Sequence, residues 1–166
     1  MKYILFGALL ALWLPAQSQE IQFNSDSASY SIVDTTLGGG KTDLHRKAQG
    51  WAIDMLGDSG QVIRLDDMDT GELTGEASVT LETKTNMTFR FRVSSRDREY
   101  RCEIFAINLD QKGKSQKFKE LMGKQQVNKG AKLVVDKKVR QLLSELQRRM
   151  RTEENYAQPS VDTLPD

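Results

Sequence analysis

Three aspartates beside a glycine have the residue types and spacing that come closest to a metal site. Asp66, Asp67 and Asp69 precede Gly71, and carboxylate oxygens are ligands that calcium prefers. The segment lacks the further oxygen ligands and the closing glutamate of a helix–loop–helix calcium site. Aspartate and glycine also favour tight turns. We therefore predict a solvated turn without a metal, and keep calcium as the alternative.

Nucleophilic catalysis would depend on one histidine, His45, and one cysteine, Cys102. A thiol–imidazole pair needs a third group that orients the imidazole, and none is evident. We expect His45 at the surface of a helix and Cys102 among buried strand residues. An enzyme would need a cleft in which Asp66, Asp67 or Arg101 meets His45. The sequence predicts no catalytic residue and no cofactor, with a hydrolase as the least favoured alternative.

Residues 38–42, Gly-Gly-Gly-Lys-Thr, precede a predicted helix, as a phosphate-binding loop would. The full motif needs a glycine where Thr35 stands, so we predict a flexible helix entry instead of a nucleotide site.

Charge is spread unevenly along the chain, although the net charge is +1. Residues 111–151 hold 13 Lys and Arg against 3 Asp and Glu, whereas residues 19–110 hold 10 against 16. Such a basic segment can face an anionic partner or form a solvated helix. For an exported protein, we expect an envelope protein, a glycan or an anionic surface as partner, and no nucleic acid. The candidate interaction residues are Arg90, Arg92, Arg101, Lys137, Lys138, Arg148 and Arg149.

The first 18 residues predict export. Lys2 precedes an apolar run that ends at Leu14, and small residues follow where a signal peptidase cuts. The run is about a dozen residues long, shorter than the roughly 20 that span a membrane. We expect a periplasmic or secreted protein that is not a lipoprotein. The predicted parts are a signal peptide (1–18), a flexible start (19–27), one domain (28–151) and a disordered tail (152–166).

Hydrophobic periodicity predicts the elements that position these residues. A short strand is expected over 28–33, and a helix over 42–56 with Thr42 or Asp43 as its cap. Four strands of an antiparallel sheet should follow within 61–108. A last helix over 131–151 carries an apolar stripe: Val135, Val139, Leu142, Leu143, Leu146 and Met150.

Strict alternation predicts which side chains of the four strands are buried. Gly75 and Ala77 are small, so we expect a helix to cross closely over them. The last strand should send Ala106 inward and Ile107 outward. Across the exposed face, Glu76, Glu82 and Glu103 are expected to pair with Arg90, Arg92 and Arg101. The predicted core contains Leu73, Val79, Phe89, Phe91, Tyr100 and Ile104.

Particular residues carry a resemblance to a known family. They are Lys41, Thr42, Asp43, Leu44, Ala48 and Trp51 on the helix, followed by Val62, Ile63, Asp66, Gly71, Leu73, Gly75, Phe91, Val93, Asp97, Tyr100, Arg101 and Ile104 on the strands. Over residues 38–107 the chain resembles a secreted bacterial family of unknown function, of Bacteroidetes type, with a TATA-binding-protein-like (TBP-like) fold. The resemblance implies an exported α+β domain with both helices on one face of the sheet. It does not imply DNA binding, because fold and function separate.

The sequence thus predicts a non-catalytic binding or interaction module of the bacterial cell envelope. It would use the polar face of the sheet or the basic helix. A carrier of a small apolar ligand is the second hypothesis, because Gly75 and Ala77 could leave a pocket between sheet and helix.

Overall fold

The computed structural model describes residues 20–35, 37–57, 62–82, 85–111, 113–123 and 128–152. The predicted signal peptide lies outside these ranges, and so does the predicted tail beyond Thr152. No helix in the described part is long and apolar enough to cross a bilayer.

The described chain forms an antiparallel sheet and three helices. Its strands lie in the order β1-β2-β6-β5-β4-β3, and β7 pairs with β6. The elements are β1 (Gln22–Asn24), β2 (Ser29–Asp34), α1 (Lys41–Leu56), β3 (Ile63–Asp67), β4 (Glu72–Thr80), β5 (Asn86–Arg96), β6 (Glu99–Gln111), β7 (Lys114–Lys117), α2 (Phe118–Met122) and α3 (Asn128–Arg151). The predicted α+β class and the meander from β3 to β6 are confirmed. Strand β1 lies in the segment expected to be flexible, and β7 was not predicted.

Alternation along β4 and β5 divides the sheet into two faces. The inner face lies against the helices and buries Leu73, Met87, Phe89, Phe91 and Val93. Polar side chains of the same strands point to the outer face, which neither long helix covers. The predicted core is confirmed, although Val79 is only partly buried at its edge.

Strand β6 carries a bulge that the alternation did not predict. Between two successive residue pairs, β5 has one residue, Phe89, whereas β6 has two, Ala106 and Ile107. The extra residue shifts the phase of β6, and Ala106 adopts a positive φ of 52°. Ala106 is therefore exposed and Ile107 buried, so the predicted orientation of both residues was wrong.

Helix α1 is capped by a distant turn. Neither Thr42 nor Asp43 caps it, because the helix starts one residue earlier and no side chain at its N-cap forms a hydrogen bond. Asp97, in the turn between β5 and β6, accepts a hydrogen bond from the Lys41 N–H at 2.9 Å. A carboxylate of the chain itself thus occupies the glycine-rich helix entry. Asp43 instead pairs with Lys47, 2.9 Å away.

Trp51 joins the two long helices to the sheet. Its indole Nε1 donates a hydrogen bond to the Leu142 carbonyl of α3 at 3.1 Å. Its ring meets Phe91 of β5 edge-on, with centroids 5.5 Å apart. The predicted apolar stripe of α3 is buried in the same core. Both helices therefore pack on the inner face.

Replacement of Arg151 should weaken the attachment of α3 to β2. Arg151 donates from Nε and Nη2 to one oxygen of the fully buried Asp34, at 3.0 and 2.8 Å. Arg151→Ala removes these donors, so we expect the free energy of unfolding to fall by about 1.5–3 kcal/mol in urea titrations. Arg151→Lys, which keeps the charge without the planar fork, should recover part of the loss. Unchanged stability of the alanine variant would contradict this attachment.

Candidate functional site

Six of the charged residues on the outer face of the sheet occupy neighbouring positions on β4, β5 and β6. All six are exposed or half-buried, and neither long helix covers them. We call this array the charge ladder, which consists of Glu72, Glu76, Arg90, Arg92, Arg101 and Glu103.

Two arginines at the centre of the charge ladder, Arg90 and Arg92, lie beside glutamates of the neighbouring strands. Arg90 is directly opposite Glu76, with Nε 3.5 Å from Oε2. Arg92 Nε lies 3.1 Å from Oε1 of Glu72, and Arg92 is directly opposite Glu103 on β6. The prediction that opposite charges pair across this face is confirmed for Arg90 and Glu76. Each charge is thus held in register by the strands that carry it.

Glu82 does not belong to this array, although the sequence analysis grouped it there. Its Oε1 lies 2.6 Å from Nζ of Lys137 on α3, beyond the end of β4. The hydrogen bond from Lys137 lowers the pKa of Glu82. The predicted pairing with an arginine of the sheet was therefore wrong.

The charge ladder is balanced, with three arginines and three glutamates. Exposed ion pairs contribute only about 0.2–1 kcal/mol each to folding, so the ladder adds little to stability. A polyanion or an anionic membrane is bound by a surface of one sign. A balanced pattern in fixed positions instead suits a surface with the complementary pattern.

The other candidate interaction residues lie on α3, away from the charge ladder. Besides Lys137, Arg148 pairs with Glu145 at 2.6 Å, and Arg149 reaches Asp54 of α1 at 2.8 Å. Lys138 lines a small cleft between α3 and the end of β4. Three of the four candidates on α3 are thus paired with neighbouring acids, and the two groups of candidates do not form one surface.

Acid should destabilise the fold through these paired carboxylates. The hydrogen bond from Arg148 lowers the pKa of Glu145 to about 2, from an ordinary value of 4.5. A lowered folded-state pKa stabilises the fold above pH 4.5, and this contribution is lost as the pH falls towards 2. We expect urea titrations to show that the free energy of unfolding falls as the pH is lowered from 4.5 to 2. The fall should be smaller in Glu145→Gln than in the unaltered protein. Equal slopes for the two proteins would contradict the assignment.

His45 is fully buried, so the prediction of a surface histidine was wrong. Its Nε2 lies 2.7 Å from Oδ1 of Asp66 on β3. Gln49, one turn further along, donates to the other oxygen of Asp66. His45 Nδ1 is buried without a partner among the described atoms. The imidazole of His45 thus links α1 to β3 through Asp66, and it cannot contact a substrate while it stays buried.

The three aspartates do not converge on one point. Asp66 faces His45, whereas Asp67 accepts hydrogen bonds from the N–H groups of Thr70 and Asp69 at 3.1 and 3.0 Å. The bonds from Thr70 and then Asp69 lower the pKa of Asp67. These contacts are those of a turn. Among the described residues, no group of three or more His, Cys, Asp or Glu side chains is placed to hold a metal ion.

Cys102 and His45 are not brought together. Cys102 is buried on the inner face of β6, and burial raises the pKa of its thiol. Asp66, the partner of His45, lies on β3, three strands away in the sheet. Three strand spacings amount to about 14 Å. The residues of the hydrolase alternative therefore do not form a pair.

The Cys102 thiol should be inert in the folded protein. Because the thiol is buried and protonated, a disulfide reagent can reach it only when the core opens. We expect the reagent to react at least roughly 10³-fold more slowly with the folded protein than with the protein unfolded in urea. The measurement is the labelling rate in buffer and in urea. A native rate within about tenfold of the unfolded rate would contradict the assigned burial.

The space beside Gly75 is filled. A Cβ at this position would lie 2.3 Å from the Val62 carbonyl oxygen and 2.5 Å from the Phe91 ring. The close neighbours are therefore Val62, directly before β3, and a side chain of β5. Gly75 accordingly leaves no room for the apolar ligand of the carrier hypothesis.

Comparisons with known proteins support the fold. Residues 36–109 match a family described as a domain of unknown function (DUF4468) with TBP-like fold. A TBP-like protein from Parabacteroides distasonis superposes with a TM-score of 0.67 at 17% identity, over 80% of this chain and 98% of that one. A DUF4468 family protein from Bacteroides ovatus gives 0.65 at 10% identity, over 84% and 94%. No curated protein matches the chain.

Proposed function

We propose that the chain is an exported, non-catalytic binding module. The premise is that residues 36–109 belong to this family of TBP-like domains of unknown function. The partner of this module is a protein of the bacterial cell envelope, and the charge ladder on the outer face of the sheet binds it. Export rests on the signal pattern of the first 18 residues.

The observation that carries the proposal is the open outer face with its ordered, balanced charges. Arg92 is the centre of this pattern, because it lies 3.1 Å from Glu72 and directly opposite Glu103. Charges fixed by strand register give specificity for a complementary surface and reject surfaces whose like charges would meet. Because exposed pairs add little to folding, stability alone gives no reason for this arrangement.

A protein partner fits the face better than the other candidate partners. An anionic glycan or lipid would gain from the arginines but would be repelled by the glutamates between them. A folded protein can present acids to Arg90 and Arg92 and bases to Glu76 and Glu103. Such contacts mainly set specificity and the rate of association.

Charge reversal tests the proposal without loss of the fold. Arg90→Glu/Arg92→Glu makes the ladder strongly acidic, while Lys138→Glu on α3 changes the same kind of charge elsewhere. We expect the unaltered protein, isolated from its own host, to elute in a complex larger than the mature chain. The double variant should lose this complex or bind at least about tenfold more weakly, and Lys138→Glu should retain it.

A third variant separates the charge pattern from the local ion pair. Glu76→Arg/Arg90→Glu exchanges the two partners, so the internal pair is kept but each charge now faces the partner with the wrong sign. We expect this variant to lose the complex as well. Retention of the complex by every ladder variant, or its loss in Lys138→Glu alone, would overturn the proposal.

A further inference from the structure

A pocket of about 360 Å³ with a mixed polar and apolar lining opens on the outer face beside the bulge of β6. It is bounded by β4, β5 and β6, by the turn between β1 and β2, and by the segment from β7 to α2. We call it the bulge pocket; its polar lining includes Ser27, Thr88, Arg90, Asn108, Lys117 and Lys119.

Two alanines with unusual backbone conformations shape the bulge pocket. Ala28 and Ala106 line it and have φ values of 50° and 52°. Tyr30 pairs with Ile104 across β2 and β6, and continuing this register by two residues places Ala28 beside Ala106. Residues other than glycine rarely adopt positive φ, and such residues cluster at functional sites. Here two of them line the same pocket.

Positive charge predominates in the lining. Arg90, Lys117 and Lys119 face a single acid, Glu76. The Arg90–Glu76 distance is 3.5 Å, and Lys117 lies 3.6 Å from Glu120, both longer than a charge-assisted hydrogen bond of about 2.8 Å. Lys119 has no ion-pair partner among the described residues. The cationic side chains of the pocket can therefore donate hydrogen bonds to a bound anion.

We propose that the bulge pocket binds a small organic carboxylate that also carries hydroxyl or amide groups. Arg90 and the two lysines bind the carboxylate, since guanidinium and ammonium groups donate to it. Ser27, Thr88 and Asn108 supply neutral donors and acceptors for the rest of the ligand. A volume of about 360 Å³ lies at the lower end of the range for small-molecule pockets, roughly 300–1,000 Å³. The pocket therefore suits a ligand as small as a sugar acid or an acylated amino acid.

This chemistry has two sources, a free sugar acid or an acidic residue of a bound polypeptide. Only the second rests on the proposed function, because a free acid can enter whether or not a protein covers the sheet. The two lysines lie outside the charge ladder. Lysine variants therefore test the pocket separately from the partner surface.

Calorimetric titration of the purified protein tests the proposal with matched probes. Glucuronate is compared with neutral glucose, and N-acetylglutamate methylamide with its glutamine counterpart. We expect one acid to bind saturably with a Kd of about 1 mM or tighter, and its neutral counterpart to show no saturation. Binding of glucuronate assigns a sugar acid, and binding of the glutamate derivative assigns an acidic residue.

Variants confirm the location of binding. Lys117→Gln/Lys119→Gln should bind the acid at least about tenfold more weakly, while Lys114→Gln on the same strand β7 should bind as the unaltered protein does. Circular dichroism and the unfolding midpoint verify that each variant is folded. The proposal is overturned if neither acid saturates by about 20 mM, or if the double variant binds as tightly as the unaltered protein.

Discussion

Replacement of Trp51 by alanine should lower the free energy of unfolding by about 3–5 kcal/mol, the range expected when a buried indole is removed. Trp51 is fully buried where α1, α3 and β5 meet. The substitution leaves a cavity between three elements, each held by its own hydrogen bonds, so the site cannot collapse easily. Urea unfolding followed by circular dichroism measures the loss, because tryptophan fluorescence would change with the substitution itself.

Trp51→Phe separates the ring from its hydrogen bond. Phenylalanine keeps most of the edge-on contact with Phe91 but cannot donate to the Leu142 carbonyl. We expect an intermediate loss of about 1–2 kcal/mol, from the missing donor and the smaller ring. A loss below about 1 kcal/mol for Trp51→Ala would contradict the central position of this residue in the core.

Gly75→Ala should destabilise the fold by about 3 kcal/mol, although it adds a single methyl group. The added Cβ would lie 2.3 Å from the Val62 carbonyl oxygen, which is backbone and cannot rotate away. It would also lie 2.5 Å from the Phe91 ring, which packs against Trp51. Relief requires β3 to move away from β4 or Phe91 to leave its position. Thermal and urea unfolding measure the effect.

Gly130→Ala is the matched control, because it is the same substitution in an open position. Nothing lies within 4 Å of a Cβ at Gly130, which is in the first turn of α3. We expect a gain of up to about 1 kcal/mol from the helix preference of alanine. Equal effects at the two glycines would show that the close approach at Gly75 is not real.

Local periodicity was enough to predict the framework of the domain. Apolar residues recur at every second position in β4 and β5, which predicts the buried face of each strand. They recur every three to four positions in α3, which predicts the apolar stripe of that helix. The same alternation placed five of the six residues of the charge ladder on the outer face: Glu76, Arg90, Arg92, Arg101 and Glu103. These features depend on near neighbours in the chain, and the sequence contains them.

Features that depend on distant contacts were missed. His45 occupies a polar position of its helix, and contacts with other elements, among them Asp66 of β3, bury it. The cap of α1 comes from Asp97, and strands β1 and β7 exist through pairing with neighbours. The bulge at Ala106 changes the phase of one strand, which alternation cannot foresee. The bulge pocket depends on that bulge and on a turn far away in the sequence.

Photo-crosslinking in the native host tests binding through the outer face most directly. A photoreactive amino acid at Ser78, exposed on β4, is compared with one at Ser144, exposed on α3. We expect a discrete protein adduct from position 78 that disappears when Arg90→Glu/Arg92→Glu is added, and no such adduct from position 144. An adduct from position 144 alone, equal adducts from both positions, or an adduct at 78 that survives the charge reversal would contradict binding through the charge ladder.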